Sequence, residues 1–281
     1  MVEEISNKKK GNNTFQEKEM SFWEHLEELR WHIVRSFVAV LVFAVIAFLN
    51  RKIIFDYIIL APKDSEFITN QLLCKLADII SVKGLCIDSL DLNIINITMS
   101  GQFMTHMFIS IVAGVILATP YILWEIWRFV TPALKSNEKK YSGGTVAIMS
   151  LLFFIGVLFS YFLIVPLTLN FLGTYQVSEA VLNKIALRSY ISTVVTLSFG
   201  VGAVFELPVF IYFLTKIGIV TPSFLKKNRK YALVIVLILS AIITPADVFS
   251  QIMVAIPLLG LYEVGILVSK RVFARQSKLS G

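Results

Sequence analysis

The sequence predicts an all-α polytopic membrane protein with six transmembrane helices, and three observations carry that reading. Of its 281 residues, 56% are hydrophobic and only 16% charged, and 22 are Phe, a balance too apolar for a soluble domain. The charges gather between charge-poor stretches, six of which can be read as spans. Lys and Arg also fall unevenly between alternate connections, as they do in proteins oriented by the positive-inside rule.

Taken in order, the first twenty residues hold Lys8, Lys9, Lys10, Glu17 and Glu19 without an apolar core. Residues 1–20 are therefore expected to form a solvated tail and not a cleavable secretory signal. The membrane domain is expected over 21–272. Its first span runs from about Ile33 to Leu49, with Arg35 close enough to the end to snorkel. The second lies in the uncharged stretch Leu92 to Trp124, the third from Val146 to about Val165, and the fourth from Ser192 to Leu214. A fifth extends from Tyr231 to Ile243 and a sixth from Val248 to Val268, leaving 273–281 as a second tail. The runs Tyr231 to Ala246 and Val248 to Tyr262 contain 16 and 15 charge-free residues. At ~1.5 Å per residue they reach roughly 22 to 24 Å, less than a ~30 Å hydrocarbon core, so the fifth and sixth helices are expected to be short.

An even number of spans puts both termini on one side. Nineteen of the 26 basic residues fall in the tails and the second and fourth connections, counting Arg35, which snorkels to the N-terminal side; this places both termini in the cytoplasm. The net charge of +7 follows from this bias and calls for no nucleic-acid partner. The connection over 50–99 is long enough to form a small folded extracytoplasmic cap. It carries Cys74 and Cys86; a disulfide and two free thiols remain alternatives there, and a metal site is not expected without nearby His.

Several polar residues invite a functional reading. Glu24, Glu27 and Glu28 precede the first span, where topology alone favours Lys and Arg, and a carboxylate there suits a cationic ligand such as a guanidinium. Glu138 is the lone acid in the turn from Phe129 to Lys140, on the same side as Glu28, so the two could form one acidic site. Glu206 lies inside the fourth span just before Pro208. An intramembrane acid is costly and needs a partner, cavity or water, and the Pro frees backbone groups beside it. Asp247 suits a helix N-cap, whereas Gln251, one turn on, either docks a partner helix or bonds internally. The three histidines, His25, His32 and His106, show no metal-ligand spacing, and neither a GxSxG nor a Walker-type loop is present. An enzyme, a metal and a cofactor are all unexpected.

The motifs His25-Leu26-x-Glu28-Leu29-Arg30 and Phe129-x-x-Pro132-x-Leu134 with Glu138-Lys139 resemble those of the TatC family, the polytopic core of the twin-arginine protein translocase. So do Phe205-Glu206-x-Pro208, Thr244-Pro245-x-Asp247-x-x-Ser250-Gln251 and Pro257-x-x-x-Leu261-Tyr262-Glu263. The ordered set covers about residues 21 to 272. The resemblance implies a cupped, glove-like bundle of six helices in the bacterial inner membrane. It also implies a receptor that binds the paired arginines of signal peptides on folded precursors through Glu28 and Glu138, with Arg30 and Phe129 in the same site. Single-span TatA-type and TatB-type partners would dock near Gln251 and Asp247, copies of the chain would self-associate, and the proton-motive force would drive transport. Some positions depart from the pattern. Trp31-His32 stands where further basic residues are usual, Ala133 replaces a common Gly, and Gln102 stands where an acid is frequent. The alternative is a proton-coupled secondary transporter of small solutes using Glu206, but no inverted repeat with paired broken helices is visible.

Overall fold

A computed structural model describes residues 22–64, 66–80, 92–130, 142–178 and 183–279. Its helices are α1 (Phe22–Leu49), α2 (Ile68–Ile80), α3 (Gly101–Val130), α4 (Ser142–Phe159), α5 (Val165–Thr174), α6 (Leu187–Val204), α7 (Leu207–Ile217), α8 (Pro222–Lys227), α9 (Arg229–Ile243) and α10 (Val248–Leu279). Among the described residues, five helical segments are long and apolar enough to cross a bilayer: Leu26–Leu49, Gly101–Val130, Gly144–Thr174, Leu187–Ile217 and Val248–Gln276. The sixth expected span is α9, with 15 residues. At ~1.5 Å per residue it reaches about 22 Å, too short to cross a standard hydrocarbon core unaided.

Two of the spans are interrupted, each beside a proline. Between α4 and α5 the chain makes a π-helical turn at Ser160–Ile164. Pro166, four residues after Phe162, has no N–H to give to the Phe162 carbonyl, and the Thr69 hydroxyl donates to that carbonyl instead. Between α6 and α7 the helix breaks at Phe205 and Glu206, just before Pro208, the disruption that Pro208 predicts. Pro120 and Pro257 lie within continuous helices.

The sixth helix is longer than its charge-free run suggests. α10 spans 32 residues, continuing past Glu263 and Lys270 into the stretch expected to be a tail. Acidic and basic side chains do not end a helix once their heads reach polar surroundings. Glu263 accepts from Arg229 Nη2 at 2.7 Å, with both side chains about half exposed. Only the fifth helix is short.

The helices pack through close backbone approaches. α1 and α3 run antiparallel, with Gly114 against the backbone of Ala44 and Val40; a Cβ at Gly114 would come within 2.7 Å of the Ala44 nitrogen. Gly156 on α4 and Gly202 on α6 bring those helices together in the same way, since a Cβ on either would strike Phe205 or Val157. The α6–α7 span is the most enclosed, with 61% of its apolar window buried against 17% for α1. Its Ile191, Val194, Leu197 and Val201 meet Ile109, Ile164 and Leu258 in the main core.

After α1 the chain folds back over the spans. Tyr161 and Tyr190 donate to the carbonyls of Ile58 and Ile59 at 2.7 and 2.9 Å, closing the backbone of this irregular segment. The buried Asn70 amide donates to the carbonyls of Pro62 and Asp64 at 3.3 and 2.8 Å. Two short strands, β1 (Asn93–Ile95) and β2 (Lys184–Ala186), pair in parallel with Asn93 opposite Lys184. The pairing ties the connection after α5 to the described residues that precede α3. Cys74 is disulfide-bonded, while Cys86 lies outside the described residues.

Candidate functional site

The expected ligand site sits at the end of the α1–α3 pair where α1 begins and α3 finishes. Glu28 is half-buried there and makes no ion pair among the described residues. Arg30, two residues on, is exposed, with Nη2 3.7 Å from Glu27 Oε1 and the guanidinium 5.7 Å from the centre of the Trp31 ring. Glu27 and Arg30 are each about two-thirds exposed, so this pair adds little stability. Phe129 stands in the last turn of α3, its ring edge-on to His32 at 5.9 Å. Glu138 lies outside the described residues, as do Pro132, Ala133 and Leu134.

Beneath this end lies a polar cluster absent from the sequence reading, in which the second span stopped at Trp124. His32 and Glu125, only 5% and 1% exposed, are hydrogen-bonded between the imidazole Nδ1 and carboxylate Oε2. Tyr121 donates to the other carboxylate oxygen at 2.8 Å. A carboxylate only accepts, so Nδ1–H is the donor and both oxygens are satisfied. Here α3 carries an acid inside its apolar face, and His32, one of the departures from the family pattern, meets it. The available signal was local: Tyr121 and Glu125 are four residues apart, hence stacked on one helix face.

The intramembrane acid is placed differently. Glu206 sits in the break between α6 and α7, 5% exposed, and neither carboxylate oxygen has a hydrogen-bond partner among the described residues. Of the partner, cavity or water that an intramembrane acid was expected to need, a side-chain or backbone partner is not found among those residues. In the turn between α9 and α10, Asp247 Oδ1 accepts from the Ser250 N–H at 2.7 Å, the N-cap expected for α10. Gln251 Nε2 donates to the Leu237 carbonyl on α9 at 3.0 Å. Of the two alternatives for Gln251, its amide N–H takes the internal one. His106 stacks on Phe48 at 4.1 Å and bonds to its carbonyl at 3.1 Å, at the other end of α1 from His32. No group of three or more metal-ligating side chains occurs among the described residues.

Comparison with known proteins bears on most of the chain. The family model described as Sec-independent protein translocase protein (TatC) matches residues 24–257. A Sec-independent protein translocase protein TatC from Blattabacterium sp. subsp. Periplaneta americana is 42% identical over 253 residues, covering 89% of this chain and 95% of that protein. The Aquifex aeolicus protein of the same name is 34% identical over 252 residues, covering 89% and 95%. Two crystal structures of a twin-arginine translocase receptor TatC, one in the detergent DDM, superpose with TM-scores of 0.69 and 0.72 at 34% identity; they cover 89% and 88% of this chain and 100% and 99% of their own. Matches of this extent, over a helical bundle whose spans and proline breaks are those described above, place the chain in the TatC family of Sec-independent protein translocase proteins.

Proposed function

We propose that this chain is the signal-peptide receptor and polytopic core of a twin-arginine translocase, passing folded precursors across a bacterial cytoplasmic membrane at the expense of the proton-motive force. The observation that carries the proposal is the resemblance along nearly the full chain to proteins named as that receptor. The surroundings of Glu28 agree with it. Glu28 is a half-buried carboxylate without an ion pair among the described residues, on a chain end rich in cations, which leaves it open to a guanidinium from outside.

In this reading Glu28 and Glu138 each take one arginine of the signal peptide, while Arg30 and Phe129 complete the pocket. An arginine fork engages a carboxylate through two parallel hydrogen bonds, which lysine cannot reproduce. Both termini face the cytoplasm, as the basic residues argue. TatA-type and TatB-type single-span partners dock along short α9 near Asp247 and Gln251. The Gln251 Nε2 is committed within the chain, so its carbonyl oxygen is the group left for a partner. The chain self-associates in the working complex.

The test is export of a folded reporter carrying a twin-arginine signal, in cells that depend on this chain. Glu28→Ala and Glu138→Ala are each expected to reduce export, and the double variant to abolish it, with the protein present in the membrane at wild-type level. Unimpaired export by the double variant would overturn the assignment.

A further inference from the structure

We propose that the cluster of buried His32 and Glu125 with half-buried Tyr121 is a positioning lock that sets the register of α1 against α3, and so holds Glu28 and Phe129 in place to receive the signal peptide. The inference rests on the receptor reading above and extends it to residues that touch no ligand.

The two helices are antiparallel, with Ala44 beside Gly114 and Phe48 beside His106. His32 and Glu125 join them near one end. One turn further toward that end, four residues back along α1 from His32 is Glu28, and four residues on along α3 from Glu125 is Phe129. Positions four apart share a helix face. The bonded pair therefore lies directly beneath the pair of positions that the receptor reading needs.

The cluster is also specific in a way that apolar packing is not. Gly114 and Ala44 set how closely the two backbones approach at the middle of the seam, whereas His32 and Glu125 act one turn from Glu28 and Phe129. A donor and an acceptor buried to 5% and 1% exposure have a bonded state at one register only, because a slip would leave the carboxylate without its donor in an apolar setting. Tyr121 holds the second oxygen at 2.8 Å and so fixes the carboxylate's rotation. The edge-on contact of the His32 ring with Phe129 at 5.9 Å carries the restraint from the cluster to the site itself.

The experiment measures binding of a labelled twin-arginine peptide, and of its twin-lysine counterpart, to the full chain purified in detergent, together with thermal unfolding. The key variant replaces both partners, His32→Leu with Glu125→Leu, so that no unpaired charge is left buried and the fold survives. Its unfolding temperature is expected to stay near wild type. Its affinity for the twin-arginine peptide should still drop about tenfold, the scale of a lost coupling between neighbouring groups, and its preference for arginine over lysine should narrow. His32→Gln, which keeps an N–H donor for Glu125, should bind closer to wild type than the double variant does. Wild-type affinity and selectivity in the double variant would overturn the lock. Glu28→Ala serves as the control: if it too binds normally, the receptor reading fails, whereas a defect there with a normal double variant removes only this inference.

Discussion

At the scale of single residues, the chain accommodates polar groups within and beside its apolar helices in three different ways. His32 and Glu125 satisfy one another, and removing one partner from such a buried pair typically costs about 3 to 5 kcal/mol because the other is stranded. Asp247 is spent on capping α10. Of the two buried carboxylates among the described residues, Glu206 is the one with neither oxygen partnered, at a helix break where backbone groups are freed by Pro208. Apolar positions are just as constrained. Gly114 sits 2.7 to 2.8 Å, measured from where its Cβ would be, from backbone atoms of α1, and backbone cannot swing aside as a side chain can. Gly114→Val should therefore force the helices apart and destabilise the fold by about 1 to 3 kcal/mol, read as a lower unfolding temperature in detergent. An unchanged unfolding temperature would mean that α1 and α3 do not pack as described.

At the scale of elements, charge-free runs located the spans well and their ends poorly. The first, third and fourth spans fall inside α1, α4–α5 and α6–α7, and the break before Pro208 was legible because proline acts locally on the residue four before it. The end of α10 was not, since a charged residue marks where a helix meets polar surroundings and not where it stops. The π-helical turn at Ser160–Ile164 escaped notice for a related reason: Pro166 signals a lost hydrogen bond, but the Thr69 hydroxyl that replaces it comes from 93 residues away. The short α9 has a physical consequence. Its 15 residues fall roughly 8 Å short of a ~30 Å core, and mismatch of this kind is relieved by local thinning of the bilayer. Transport in proteoliposomes should therefore be highest in thin bilayers and fall as acyl chains lengthen. Inserting one apolar turn into α9 should move the optimum to thicker ones. A thickness profile that the insertion leaves unmoved would count against this role for α9.

At the scale of the whole molecule, the order of motifs along the chain identified the family, and the same motifs pointed to Glu28 and Phe129. The chain's own cross-links between distant segments were not readable in the same way. The parallel pairing of β1 with β2 joins residues 93–95 to 184–186, and His32 meets Glu125 across most of the first two spans. Such pairs obey no local periodicity, so composition and spacing carry no trace of them. What the receptor account claims at this scale is a single location for cargo recognition, the shared end of α1 and α3 with the following connection. The most direct measurement is photocross-linking from a precursor that carries a photoreactive residue beside its paired arginines, followed by mapping of the adducts on this chain. The account predicts adducts within 22–30 and 125–140, weakened when the arginines are replaced by lysines. Adducts confined to the segment 50–99, or equally strong with lysines, would contradict it.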